Sequence, residues 1–189
     1  DTTAALTLAR AVSPDAFVAA DAELLVGDLL RGAGDHAAVA AHYGDYLTRR
    51  PNGIRKSEAR FRRAEALEAS ADTGPDAGAL YRAITVDDPL SSWATKATAR
   101  LDALAKAGRP QPPLTTAERL SRAKALFDAM RNPESEAAYA EVLAATDRTP
   151  ADTCAASYYR AQSLFKARDR KAAAARFDEA IAACTTAGA

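Results

Sequence analysis

Small and large apolar residues recur along this chain at spacings of three and four. The clearest case is residues 154–187, where two such stripes flank the polar turn Asp169-Arg170. The stripe residues are Ala161 and Leu164 before the turn, and Ala173, Phe177 and Ala180 after it. Because these spacings place side chains on one face of a helix, the segment predicts two antiparallel helices.

Three more segments, counted from Thr116, Ala20 and Ser57, carry similar residues at the same five offsets. These residues are Ala123, Leu126, Ser135, Tyr139 and Val142; Gly27, Leu30, Val39, Tyr43 and Tyr46; and Ala64, Leu67, Ala77, Tyr81 and Ile84. The third set fits if the turn at 72–75 is lengthened by about one residue. Small residues at the first and third offsets let two helices approach closely, and larger ones fill the space beside them.

The offsets resemble positions 8, 11, 20, 24 and 27 of tetratricopeptide repeats. The expected fold is therefore all-α, a right-handed superhelix of antiparallel helix hairpins of the tetratricopeptide-like α-solenoid type, with about nine or ten helices.

The repeat starts leave extra residues between the second and third hairpins. There, Ser91-Ser92 can cap a helix that the proline-rich run after Gly108 ends. The expected organisation is an N-terminal half at 1–107, with hairpins near 20–51 and 57–87 and an extra helix at 91–107; a Pro-rich connector at 108–114; and a C-terminal half at 115–189, with hairpins at 116–147 and 154–187.

The ends of the sequence indicate a piece of a longer protein. The chain stops just after a helix, without the polar capping helix that solenoids need. The opening Asp1-Thr2-Thr3 has neither an initiator Met nor the basic and apolar regions of a signal peptide. We therefore expect a trimmed chain, and the missing signal does not argue against export.

Charge and hydropathy exclude two classes of partner. Lys and Arg together number 25, as do Asp and Glu, so the formal net charge is zero. Nucleic acids and anionic membranes are bound through clustered positive charge, so neither is expected as a partner. No run approaches the ~18 apolar residues of a membrane span, so no membrane insertion is expected.

No motif predicts catalysis, a metal or a cofactor. His36 and His42 lie six residues apart on one predicted helix, unlike the four-residue spacing of a helical metal pair. The sequence also lacks a glycine-rich phosphate loop, a nucleophile elbow and a Cys-x-x-Cys pair. We expect no enzymatic activity in these residues.

The candidate binding residues come from the resemblance to tetratricopeptide arrays, which recognise partners along a concave face made by the first helix of each hairpin. Repeat positions near 2, 5, 9, 12 and 13 line that face. The corresponding candidates here are Asp28, Arg31, Glu65, Glu68, Lys124, Asp128, Gln162 and Lys166. They predict a groove that is acidic early and more basic late, although the same charges also suit a polar rim without a ligand.

The only two cysteines, Cys154 and Cys184, form either a disulfide or a pair of buried thiols. Each lies about 15 residues from the turn at Asp169-Arg170, so antiparallel helices bring both to one end of the hairpin. Both lie on the face turned toward the other helix. The bridge is favoured, and it would indicate an oxidising compartment.

Two stretches resemble the superhelical domain of soluble lytic murein transglycosylases. They are Asp88-Pro89-Leu90-Ser91-Ser92-Trp93-Ala94 with Ala97 and Leu101, and Leu114-Thr115-Thr116-Ala117-Glu118-Arg119-Leu120 with Arg122, Ala123, Leu126 and Phe127. The resemblance covers most of residues 57–187. It implies a periplasmic, non-catalytic scaffold that positions a peptidoglycan glycan strand or partner proteins ahead of a catalytic domain absent from these residues.

The catalytic motif of that family is a Glu-Ser dipeptide followed by Gly-Leu-Met-Gln. Glu134-Ser135 lacks the second element, so no catalytic residue is assigned. The alternative is a free-standing tetratricopeptide adaptor in the cell envelope that binds a peptide or protein. The sequence gives no indication of the oligomeric state.

Overall fold

The structure is a computed structural model that describes residues 1–70 and 76–188. Within these ranges the chain contains ten α-helices and no strand. The helices are α1 (Thr2–Arg10), α2 (Ala19–Gly32), α3 (His36–Arg49), α4 (Lys56–Ala69), α5 (Asp76–Asp87), α6 (Ser92–Lys106), α7 (Thr116–Asp128), α8 (Asn132–Ala144), α9 (Pro150–Lys166) and α10 (Arg170–Thr186). The all-α prediction and the expected number of helices are confirmed. The predicted lengthening of the turn at 72–75 lies outside the described residues.

Local sequence signals fix where several helices begin. The Thr115 hydroxyl accepts a hydrogen bond from the Glu118 backbone N–H, and the Glu118 carboxylate accepts one from the Thr115 N–H at 2.8 Å. Thr149 and Asp152 form the same reciprocal pair at the start of α9. Ser91 caps α6, as predicted. These caps satisfy backbone donors that have no partner within the helix.

The described residues form two compact units. The first takes residues from 1–84 and 91–111, and the second takes residues from 85–90 and 112–189. The last of the three changes between the units, at 111/112, falls within the predicted connector at 108–114, whereas residues 85–90, predicted in the N-terminal half, belong to the second unit.

Burial follows the repeat register that the sequence predicted. Every one of the repeat positions is buried except Leu67, Leu164 and Phe177, which are half-buried. In the first unit, Tyr43 and Tyr46 belong to a core between α1, α2, α3 and α4. The Phe61 ring packs against the Tyr81 and Trp93 rings, with each pair of centroids 5.3 Å apart, and so joins α4 to α5 and α6.

Gly27 shows why a small residue is needed at the first offset. A Cβ atom at this position would overlap the hydroxyl end of the Tyr43 side chain, which crosses from α3 onto α2. The absence of a side chain therefore allows the Tyr43 ring to pack closely against α2, where Arg62 donates a hydrogen bond to its hydroxyl.

The second unit is built from consecutive antiparallel helices. Tyr139 on α8 stacks on Tyr159 on α9, with ring centroids 5.6 Å apart. Beside them, the buried hydroxyls of Ser135 and Ser163 are 2.9 Å apart and hydrogen-bonded. Each hydroxyl gives the other a partner, so these polar groups are buried without remaining unsatisfied.

The small residues between α9 and α10 provide a direct test of the packing. We expect Ala161→Leu and Ala173→Leu each to lower the free energy of unfolding by about 1 to 3 kcal/mol, because both alanines are fully buried where the helices meet. Ala174→Leu, on the exposed side of α10, is the matched control and should change it by less than about 0.5 kcal/mol. Urea unfolding followed by circular dichroism measures all three, and equal midpoints would show that the helices do not pack through these residues.

Candidate binding surfaces

Two neighbouring cavities in the first unit bring three of the predicted binding residues together. A cavity of about 230 Å³ lies between α2, α3 and α4, and one of about 470 Å³ lies beside α4 and α6. Arg31, Arg62 and Glu65 line both of them, and Asp28 lines the smaller one. The cavities therefore share a charged rim.

Arg62 pairs with two carboxylates at and beside this rim. Its guanidinium donates hydrogen bonds to Asp28 on α2, to the Tyr43 hydroxyl on α3 and to Glu58 on its own helix, the last at 2.6 Å. Asp28 also accepts from Arg31 at 2.9 Å. Burial raises the pKa of the Tyr43 hydroxyl, which therefore stays protonated at neutral pH. Asp28 and Arg31 are thus part of a paired network rather than free binding groups.

Glu68 lies outside the shared rim. Its carboxylate accepts hydrogen bonds from Arg100 on α6 and from the Tyr81 hydroxyl on α5, both at 2.7 Å, and its side chain is largely buried. This arrangement links three helices, which is a structural role.

Glu65 and Lys96 differ from these paired groups. Among the residues that the structure describes, neither has an ion-pair partner, although both line the larger cavity. The Lys96 ammonium lies 4.1 Å from the centre of the Trp93 ring, within cation–π range. Glu65 and Lys96 thus bring to the same space an acidic and a basic side chain that have no ion pair among the described residues, although Lys96 rests on the Trp93 ring.

In the second unit, the four predicted residues are engaged with their neighbours. Lys124 and Asp128 form an ion pair at 2.7 Å along α7. Gln162 donates a hydrogen bond to the Tyr158 hydroxyl at 3.0 Å. The Lys166 ammonium lies over the Phe127 ring, 3.5 Å from its centre, and connects α9 to α7.

Tyr158 and Phe165 are surface residues of α9 that were not among the predicted binding residues. Tyr158 is 44% exposed and Phe165 is 52% exposed. They fall at positions 5 and 12 of the predicted repeat, two of the positions expected to face a ligand, so the predicted register contained the signal. Being seven residues apart, both side chains point to the same side of the helix.

The other rings of this cluster are covered. Tyr159 is stacked on Tyr139 and makes a T-shaped contact with Phe127, and the Lys166 ammonium lies over the Phe127 ring. Tyr158 makes only edge contacts, with Tyr159 at 5.3 Å and with Phe177 at 6.2 Å. Tyr158 and Phe165 therefore supply the open aromatic surface of α9.

The Glu-Ser dipeptide has the wrong environment for glycosidic acid catalysis. The hydrogen bond from Arg131 lowers the pKa of exposed Glu134, whereas a general acid needs a raised one. Ser135 is buried against Ser163.

The two histidines lie in different surroundings. The His42 imidazole donates a hydrogen bond to the Glu23 carbonyl at 2.7 Å, whereas His36 lines the smaller cavity. Among the described residues, no three His, Cys, Asp or Glu side chains are grouped closely enough to hold a metal ion.

The predicted disulfide is present in the second unit. Cys154 on α9 and Cys184 on α10 are bridged, and their Cα atoms are 4.5 Å apart. This distance lies within the range that a bridge requires. The bridge joins the start of α9 to the end of α10 and closes the last hairpin at its open end.

Comparisons with known proteins do not assign a family. Neither the protein-family models nor the curated proteins include a significant match to this sequence.

None of the helices in the described residues is both long and apolar enough to cross a membrane.

Proposed function

We propose that this chain is the non-catalytic scaffold of a periplasmic peptidoglycan lytic transglycosylase, where it positions a glycan strand or partner proteins. The sequence stretches at 88–94 and 114–127 support the family, and the Cys154–Cys184 bridge favours an oxidising compartment such as the periplasm. The catalytic step belongs to a domain beyond these residues.

The open aromatic surface of α9 is the observation that favours a glycan. Tyr158 and Phe165 lie about 10.5 Å apart along the helix, because seven residues rise about 1.5 Å each. This distance is about the length of a β-1,4-linked disaccharide. The apolar face of a sugar ring packs on an aromatic ring, and the intervening Gln162 amide can bond to hydroxyls. A glycan lying along α9 would thus place equivalent sugars over the two rings.

Binding to purified peptidoglycan tests this proposal. We expect the chain to co-sediment with murein sacculi without releasing anhydro-muropeptides. Tyr158→Ala combined with Phe165→Ala should weaken binding by about fivefold or more, since each aromatic contact contributes about 0.5 to 1.5 kcal/mol. The matched control is Ile54→Ala, which removes a fully exposed apolar side chain from the first unit and should leave binding unchanged.

Two results would contradict the glycan function. One is equal sedimentation of the double variant and the wild type, and the other is the absence of sedimentation by the wild type. Release of anhydro-muropeptides would instead show that these residues are catalytic.

The alternative is a tetratricopeptide adaptor that binds a peptide or protein with no enzyme attached. The cavities of the first unit favour this class, because they combine an apolar interior with charged side chains at the rim. Sequencing the gene beyond residue 189 distinguishes the two: a lysozyme-like domain supports the transglycosylase, and a stop codon supports the adaptor.

A further inference from the structure

The smaller cavity of the first unit has the size and lining for a single aliphatic side chain. Its volume of about 230 Å³ is below the ~300 to 1,000 Å³ of pockets that take whole small molecules. Val39, Ala66 and the Tyr43 ring form its apolar floor, and the hydroxyl end of Tyr43 fills the space beside Gly27. Burying an aliphatic group here would remove its surface from water.

The charges around this cavity restrict which residue can lie next to the aliphatic one in a ligand. The network of Asp28, Arg31, Arg62 and Glu58 pairs two cations with two anions and so offers little net charge to a ligand. Glu65 is different, because it lines both cavities and the described residues give it no ion-pair partner. A ligand that places a cation beside the aliphatic group would gain this pairing.

The larger cavity favours an acidic residue of the ligand next to the basic one. Lys96 reaches it from α6, where its ammonium rests on the Trp93 ring rather than on a carboxylate. An anionic group of the ligand would find its counterion there. The Trp93 ring itself is covered by Lys96 and contacts Phe61, so it offers little surface for stacking a sugar.

From this arrangement we propose that the first unit binds an extended peptide segment of an aliphatic, a basic and an acidic residue, in this order or its reverse. The aliphatic side chain enters the smaller cavity, the basic residue pairs with Glu65, and the acidic residue pairs with Lys96. This site is separate from the α9 surface of the glycan proposal; it rests on the alternative adaptor function, whose peptide ligand it specifies. A polyanion does not satisfy Glu65, and a neutral glycan satisfies neither free charge.

Titration of the full chain with a defined peptide tests the site. The probe is the acetylated, amidated pentapeptide Gly-Leu-Lys-Glu-Gly, followed by amide chemical shifts at low ionic strength. We expect shifts at Gly27, Ala66 and Trp93. Glu65→Gln should weaken binding by about two- to fivefold, the range of an exposed ion pair, and the effect should shrink with added salt.

A second variant tests the cavity independently of charge. Ala69 lines the cavity but is exposed, so Ala69→Leu fills the opening without entering the core and should weaken binding at least about tenfold. Asp102→Asn, at an exposed site on α6, is the matched charge control and should bind like the wild type. Circular dichroism of each variant verifies the fold.

Several results would overturn this assignment. These are the absence of shifts at millimolar peptide, shifts confined to residues 115–188, or equal affinity for Ala69→Leu and the wild type. Equal peptide affinities of the Glu65→Gln and Asp102→Asn variants would show that the basic residue of the peptide does not pair with Glu65. Sedimentation with murein is a separate measurement of the glycan proposal. Ala69→Leu should leave this sedimentation unchanged, so the peptide site and the glycan surface can fail independently.

Discussion

Reduction of the Cys154–Cys184 disulfide is expected to lower the free energy of unfolding of the second unit by about 3.5 kcal/mol. The bridge joins two residues that are 30 positions apart, so it reduces the conformational entropy of the unfolded chain. The chain-entropy model gives this value for a loop of that length. The value approaches the total stability of a small domain, so the last hairpin should become the weakest part of the unit once reduced.

Urea unfolding with and without reductant measures the effect. The wild type should lose stability on reduction, whereas the Cys154→Ser, Cys184→Ser double variant should be weaker at the outset and insensitive to reductant. Thiol titration of unfolded, unreduced protein exported to the periplasm should find no free thiol. Two free thiols in that material, or identical midpoints with and without reductant, would contradict both the bridge and the argument for export.

Replacement of Arg62 by Met should destabilise the first unit by about 3 kcal/mol. Arg62 is the main partner of Glu58, whose side chain is only 8% exposed. Removing one member of a buried ion pair leaves the other charge uncompensated, which costs about 3 to 5 kcal/mol. Because Arg55 still reaches Glu58 at 3.4 Å, we expect the lower end of that range.

The single tryptophan, Trp93, belongs to the first unit, so its fluorescence during urea unfolding reports this change. Arg31→Met is the matched control, because Arg31 is 59% exposed and pairs with the same Asp28; it should cost less than about 1 kcal/mol. Adding Glu58→Gln to Arg62→Met should restore part of the loss, since a neutral amide is cheaper to bury than an unpaired carboxylate. Equal losses for Arg31→Met and Arg62→Met would show that burial of Glu58 is unimportant.

The sequence by itself determined the helices and much of their packing. Helix periodicity and capping residues act within a few positions, so the start of α6 after Ser91 and the burial of Ala161 and Ala173 were predictable. The proximity of Cys154 and Cys184 followed from the same periodicity, because both lie about 15 residues from one turn; the sequence favoured the bridge over two buried thiols, and the structure contains it.

Only the tertiary structure decided which predicted surface residues remain available to a ligand. Glu65 and Glu68 are one turn apart on α4 and look alike in sequence, yet Glu68 is held by Arg100 and Tyr81 whereas Glu65 has no ion pair among the described residues. Similarly, Tyr158 and Tyr159 are adjacent, but Tyr159 is stacked inside the unit and Tyr158 is open. Repeat position fixes the face of a helix, whereas the partner of a long side chain depends on the rotation and spacing of neighbouring helices, which arise from packing across the whole unit.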